Sequence, residues 1–390
     1  MSEPVAGPDD PTSTATATTQ VSPAVDEEWR NGQEARIGIV GLGTILRQYL
    51  DTFERAQGAN VVAVADLDPV RATEVAARTG ARAVGVAELV DDGEVDVVLN
   101  LTVPAAHAEI AQAALAAGKQ VYGEKPLAAT SEQAGVLLAA AEKAGLRTGG
   151  APDTVLGTGV QTARAVIDAG TIGVPVAANA TFAAPGHERW HPNPDFYYLP
   201  GGGPLMDMGP YYLTALVTLL GGVTSVIGAA STSAPERVIG SGPRAGEHIP
   251  VQVATHVTGV LTHAGGALST IVMSFDSVAT QAPRIEVHGS AGSLSVPDPN
   301  GFDGPVRLRT VDADQWQEVA PSAGYLGAGR GVGLLDLVRT PRGRDGRASG
   351  ALAAHVLQVM EAVLASAEQR RAVPITTRIS RPAPVPLTRV

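Results

Sequence analysis

Between Ala35 and Gly150 short strand-like apolar runs alternate with helical stretches, joined by short connections. Arg36 to Val40 reads as a buried strand, followed by Gly41-Leu-Gly43 and a helix through Phe53. A second strand spans Asn60 to Ala65 and ends in Asp66, and a third spans Val95 to Leu101. An Ala-rich helix from about Pro104 to Ala117 follows, with Gly118 placed to close it. Gln120 to Tyr122 is the next strand, and a helix capped by Thr130 or Ser131 ends near Gly145. Strands separated by helical patterns of roughly 10–15 residues make βαβ units, and βαβ units make a parallel sheet. This part is expected to be a doubly wound α/β domain.

After Gly150 the rhythm changes. A helix near Gly157 to Ala169 gives way to β-type runs at Val174 to Phe182, Ser225 to Ala230, Val251 to Leu261, Leu268 to Phe275, Arg284 to Val287 and Val306 to Val311. Turns such as Pro297 to Gly301 join some of them, which predicts an open, mostly antiparallel sheet. Helical spacing returns from Leu352 to Ala367, so this half is α+β. Four segments are expected: a disordered tail over 1–33, the doubly wound domain over 34–150, the α+β domain over 151–375 and an extended end over 376–390.

At 390 residues the chain is long enough for two substantial cores, and aromatics at 4% mean that Ala, Val and Leu build them. The formal charge of −11 and the absence of a basic run argue against a nucleic-acid partner. The densest basic stretch, Arg339, Arg342, Arg344 and Arg347, is interrupted by Asp345 and is expected to be a solvated loop. No run approaches the ~20 apolar residues of a membrane span. The N-terminus lacks the charged start and apolar core of a signal peptide, so a cytoplasmic protein is expected. Without cysteine there is no disulfide, thiolate metal site or cysteine nucleophile. The tail, with six acids and one base, is too polar to order itself and is expected to be a solvated extension.

Two clusters carry chemistry. Gly41 and Gly43, between a strand and a helix, let a backbone approach a pyrophosphate at the helix N-terminus, although Leu46 replaces the third glycine of the fingerprint. Asp66 lies 23 residues past Gly43, where a carboxylate binds a ribose 2′-hydroxyl and repels a 2′-phosphate, favouring NAD over NADP. Arg71 is the neighbour able to reverse that preference, and capping of the next helix is the alternative role for Asp66 or Asp68. In Gly123 to Leu127, Lys125 precedes Pro126, which keeps the chain extended and frees the amine to enter a cleft. A cationic nicotinamide nearby would lower its pKa and make it a proton carrier; a surface pair with Glu124 is the alternative.

The second cluster is Gly201 to Tyr212. Asp207 and Tyr211 are four apart and share a face if a helix has begun. Just upstream, Trp190, His191, Asp195 and Tyr197 mix aromatic faces with polar edges, a surface suited to sugars or else a packed structural loop. His187-Glu188-Arg-Trp-His191 matches a zinc-protease pattern, but Pro185-Gly186 and Pro192-Asn-Pro194 flank it, so the helix that pattern requires is not expected. No metal site is assigned.

The sequence resembles the Gfo/Idh/MocA family of oxidoreductases over about residues 35 to 375. The resemblance rests on Ile39 to Gly43, Val62 to Asp68, Ala117 to Leu127 and Gly201 to Gly209. It implies a Rossmann domain followed by a substrate domain whose open sheet forms a homodimer or homotetramer. It implies that Gly41, Gly43, Thr44, Ile45, Asp66, Arg71, Thr102, Pro104, His107, Glu124 and Lys125 hold NAD. Lys125, Asp207 and Tyr211 would form the proton-transfer set, with Trp190, His191, Asp195, Tyr197 and Arg330 toward the substrate. Many members carry histidine in place of Tyr211, some carry tyrosine, and the proline of the Thr102 segment sits one place later here. The activity implied is hydride transfer between nicotinamide and a secondary alcohol of a sugar, glycoside or cyclitol. The alternatives are redox-assisted glycoside elimination on tightly held NAD and a non-catalytic dinucleotide-binding sugar sensor.

Overall fold

The computed structural model describes residues 34–341 and 343–390; the expected tail and Arg342 lie outside the described residues. The first half contains β1 (Ala35–Val40), α1 (Leu46–Phe53), β2 (Ala59–Ala65), α2 (Pro69–Thr79), β3 (Arg82–Ala83), α3 (Val86–Asp91), β4 (Val97–Asn100), α4 (Pro104–Ala116), β5 (Gln120–Gly123), α5 (Ser131–Ala144) and β6 (Thr148–Gly150). Its strands pair in parallel in the order β3-β2-β1-β4-β5-β6, so the order in which strands are added reverses at the β1–β4 boundary. Such a switch point opens a crevice at the carboxyl ends of the strands. Helix ends follow the local chemistry. Asp68 caps α2 by accepting from Val70 N at 3.0 Å, with Pro69 as its first residue. Thr130 caps α5, and Gly145 closes it at φ +65°.

The second half continues with α6 (Thr158–Asp168), β7 (Pro175–Ala183), α7 (Pro204–Leu220), β8 (Val223–Ser231), β9 (Glu236–Val238), β10 (His248–Pro250), β11 (His256–His263), β12 (Leu268–Ser274), β13 (Ile285–Gly289), β14 (Gly292–Val296), β15 (Val306–Thr310), β16 (Gln317–Val319), β17 (Tyr325–Leu326), α8 (Val332–Arg339), α9 (Gly350–Gln369), β18 (Val373–Pro374) and β19 (Thr388–Arg389). Nine of these strands form one sheet in the order β16-β15-β14-β13-β7-β12-β11-β8-β18, antiparallel except between β7 and β12. Helices α6, α7 and α9 pack against it, while Ile227, Val260 and Leu268 stay exposed.

Several expectations are corrected. The run from Val251 enters the sheet only at His256, because Val251 N and Gln252 N donate instead to the carbonyls of Pro235 and Tyr198. The basic stretch is no simple solvated loop: Arg339 ends α8, and Arg347 is ion-paired with the fully buried Asp336. Helix α8 itself was not anticipated, its Val332 to Val338 core run being masked by flanking glycines. Contrary to the expectation that no run approaches a membrane span, helix α9, at 20 residues, is long and apolar enough by composition to cross a bilayer, and most of it is buried within the protein. Its partners are β8, α7 and α5.

The extended end is stitched to the body. Val385 is buried, its N–H donates to Gln161 Oε1 at 2.9 Å, and β19 pairs with β17. Gly157, which starts α6, packs against the 297–303 turn so closely that an added Cβ would lie 2.0 Å from the Phe302 carbonyl oxygen. Gly157→Ala is therefore expected to destabilise the protein by about 1–3 kcal/mol through forced displacement of that turn. Thermal unfolding of the variant and the wild type measures the loss.

Candidate active site

Gly41 takes φ +89°, and a Cβ there would sit 2.7 Å from the backbone of Leu101 and Thr102. Only glycine lets the β1–α1 turn approach the end of β4 so closely. A Cβ on Gly43 would meet nothing within 4 Å, since this residue faces a cavity of about 570 Å³. The cavity is lined by Gly41, Gly43, Asp66, Arg71 and Thr102 among others. Asp66 Oδ2 accepts from Leu42 N at 2.7 Å and Oδ1 from Asp68 N at 2.9 Å. Burial works to raise its carboxyl, but these N–H groups and the Arg71 guanidinium outweigh it and hold the pKa below the usual range. Asp68, not Asp66, is the helix cap, which leaves Asp66 on the cavity wall. Arg71 is paired with Asp66 at 3.3 Å and Asp68 at 3.4 Å.

An acceptor for ribose hydroxyls, a glycine turn open to the cavity and a helix start beside it fit a dinucleotide. Other residues expected around it take supporting places. His107 is buried, with its ring nitrogens 2.6 and 2.9 Å from the carbonyls of Pro126 and Thr102, so it ties two strand-end loops together rather than facing the cavity. Thr102 stays on the cavity wall, its Oγ1 donating to Asn100 Oδ1 at 2.6 Å. Thr44 is exposed in the turn, Ile45 precedes α1, and Pro104 starts α4. Glu124 accepts from Tyr49 Oη at 2.8 Å and from Lys125 N at 3.0 Å.

The Lys125 amine is therefore not paired with the Glu124 carboxylate. It leaves β5, precedes a cis peptide to Pro126, and donates to Asp207 Oδ1 at 2.8 Å and to the Asp207 carbonyl at 2.9 Å. Their side chains are 20% and 16% exposed, enough to be reached from solvent. Burial works to lower the amine, but in the protein alone Asp207 and Tyr211 push it well above the ordinary lysine value; the lowering expected beside a cationic nicotinamide concerns the dinucleotide complex. Burial likewise works to raise the Asp207 carboxyl, yet Lys125 and His187 hold it down at about 2. In the protein alone this is an ionised pair at neutral pH.

Helix α7 has begun before Asp207, so Asp207 and Tyr211 do share a face. The glycines before it are needed: a Cβ on Gly202 would lie 2.4 Å from the Phe196 carbonyl, and Gly203 takes φ +91°. Tyr211 is buried beneath two cations. Lys125 Nζ lies 5.6 Å and the Arg330 guanidinium 5.3 Å from its ring centroid. Burial pushes the phenol up, and the two cations pull it part of the way back. Arg330 donates to Gln48 Oε1 at 3.1 Å and Asn300 Oδ1 at 2.9 Å, spanning both halves of the chain. Its loop is held by the buried Asp153, which accepts from Gly331 N and Gly333 N at 2.8 and 2.9 Å.

His187 is the residue that sequence reasoning missed. Its Nε2 lies 3.0 Å from Asp207 Oδ2, while Glu188 turns away to Tyr198 and Arg237. The zinc-like pattern is thus dispersed, and its helical part is a single 3-10 turn, His187–Arg189. Among the described residues no histidine and carboxylate cluster could hold a metal. Tyr197 meets the His187 ring at 4.5 Å. Asp195 is instead held by Arg244 at 2.6 and 3.1 Å, and His191 Nδ1 accepts from Asn193 N. No spacing rule connects His187 to Asp207, and only the fold joins them.

Residues 35–149 match the model of an oxidoreductase family described as an NAD-binding Rossmann fold, and residues 160–295 match the GFO/IDH/MocA C-terminal domain. The chain is 30% identical to 1,5-anhydro-D-fructose reductase of Ensifer adhaerens over 265 residues, 66% of this chain and 74% of that one. It is 34% identical to inositol 2-dehydrogenase 3 of Saccharopolyspora erythraea, a match spanning 38% of this chain and 45% of the relative. Among solved structures, an NAD binding oxidoreductase from Klebsiella pneumoniae superposes with a TM-score of 0.77 at 28% identity, covering 88% of this chain and 99% of the other. Levoglucosan dehydrogenase in complex with NADH and L-sorbose shares the fold, with a TM-score of 0.74 at 24% identity over 89% of this chain and all of the other. This chain belongs to the Gfo/Idh/MocA family of NAD-binding oxidoreductases.

Proposed function

We propose that this protein is an NAD-dependent dehydrogenase or reductase acting on a secondary alcohol or ketone of a sugar, glycoside or cyclitol. The observation that carries the reading is the meeting of Lys125, Asp207 and Tyr211 at the carboxyl edge of the parallel sheet, beside an aromatic surface. Relatives named for sugar and inositol substrates support the substrate class.

When bound, the dinucleotide supplies the hydride acceptor or donor. The chain's own residues would do the rest. Asp66 favours ribose hydroxyls over a 2′-phosphate, and Arg71 is already neutralised by two carboxylates, so NAD is preferred to NADP. Lys125, kept protonated by Asp207, offers a hydrogen bond to the substrate oxygen. Tyr211, with two cations over its ring, exchanges the hydroxyl proton, since positive charge beside a phenol favours its ionised form. Arg330 acts through Tyr211. Self-association as a homodimer or homotetramer is assigned to the outer face of the large sheet, where Ile227, Val260 and Leu268 are exposed.

The experiment is nicotinamide absorbance with NAD, and separately NADP, across sugars, glycosides and inositols. Reduction of NAD with one substrate class is expected; silence across the panel would contradict the dehydrogenase reading. Tyr211→Phe is expected to lower kcat by about 10²–10⁴-fold, the usual worth of a general acid–base group, with dinucleotide affinity little changed. A Tyr211→Phe rate within a few-fold of wild type would remove the phenol from the mechanism.

A further inference from the structure

The connection between β7 and α7 carries more exposed aromatic surface than chemistry at Lys125 and Tyr211 can use. Its rings are in contact from the Asp207 carboxylate outward. His187 bonds Asp207 and meets Trp190 edge-on at 5.1 Å and Tyr197 at 4.5 Å. His191 follows, 5.4 Å from both Trp190 and Phe196, and Phe196 lies 4.1 Å from Tyr197. Trp190 and Phe196 remain 58% and 55% exposed, in a chain whose aromatic content is only 4%. Such rings are ordinarily buried for their large apolar area.

The exposure is built in. The bidentate Asp195–Arg244 pair pins the loop, Gly240 N donates to the Glu188 carbonyl at 2.7 Å, and Gly202 leaves no room between the loop and α7. Arg244 is held between two carboxylates, Asp195 and Glu247, so its guanidinium is not free to hold an anionic occupant. A neutral occupant with an apolar face and polar edges fits this combination, which is the chemistry of a pyranose ring. A second copy of the chain fits poorly, because two exposed rings set among polar groups fall far short of the ~800 Å² per partner of a stable interface.

We propose that Trp190 and Phe196 form a second carbohydrate subsite, holding the sugar attached to the one that reacts beside Lys125 and Tyr211. The preferred substrate is then a glycoside or disaccharide rather than a free monosaccharide. This rests on the sugar oxidoreductase reading of the site. The C–H face of the outer ring stacks on the indole and phenyl rings, and its hydroxyls meet His191, Asn193 and the Asp195–Arg244 pair.

The test uses the full chain with NAD, a monosaccharide that it oxidises, and glycosides of that sugar carrying a second pyranose. Wild type is expected to show a kcat/KM at least ten-fold higher for the glycoside. In Trp190→Ala and Phe196→Ala that ratio should fall about ten-fold, mainly through KM, and Trp190→Phe should retain most of it. A merely structural role would lower both substrates together and leave the ratio unmoved, which would overturn the subsite. Equal use of both substrates by wild type would also overturn it. Binding of NAD without oxidation of any sugar would overturn the oxidoreductase reading itself, and the subsite with it.

Discussion

A largely buried ammonium against a largely buried carboxylate joins the two halves of this protein. Lys125 comes from the end of β5 and Asp207 from the first turn of α7, and their atoms meet at 2.8 Å. Removing either partner of such a pair strands the other charge, at a cost of about 3–5 kcal/mol. Much of the nearby architecture holds the two in place. His107 ties the loop after β5 to the loop after β4. The triglycine packs against the loop before α7, and His187 fixes the second carboxylate oxygen of Asp207.

The strand order sets what meets at that pair. Reversal between β1 and β4 brings the glycine turn, Asp66 and the end of β5 to one edge. Helix α7, packed on the large sheet, supplies Asp207 and Tyr211 from the other half. Arg330 then bridges the halves through Gln48 and Asn300 while lying over the Tyr211 ring. Its loop depends on the buried Asp153 and follows β17, which the C-terminal β19 pairs. Ends of the chain far apart in sequence thus shape one phenol's surroundings.

What was legible in the sequence is what has a period or a backbone signature. The βα alternation, a helix start at Thr130 or Ser131 and its end near Gly145, the glycine turn with Asp66 and the four-residue spacing of Asp207 and Tyr211 were all readable from residue types. The strand at Val251 was misplaced because apolar residues there pair with distant loop carbonyls instead of the sheet. His187 was hidden for a different reason: its partner is 20 residues away and reaches it through a loop with no regular spacing. The Lys125 counter-ion was likewise unreadable, since Glu124 is its neighbour in sequence and Asp207 its neighbour in space.

The role proposed for Lys125 is toward the reacting substrate rather than toward the dinucleotide's binding. The most direct measurement compares Lys125→Ala with wild type, titrating NAD affinity by calorimetry and following turnover by nicotinamide absorbance. NAD affinity within a few-fold of wild type, with turnover abolished, is the predicted result. Near-normal turnover in Lys125→Ala would contradict it.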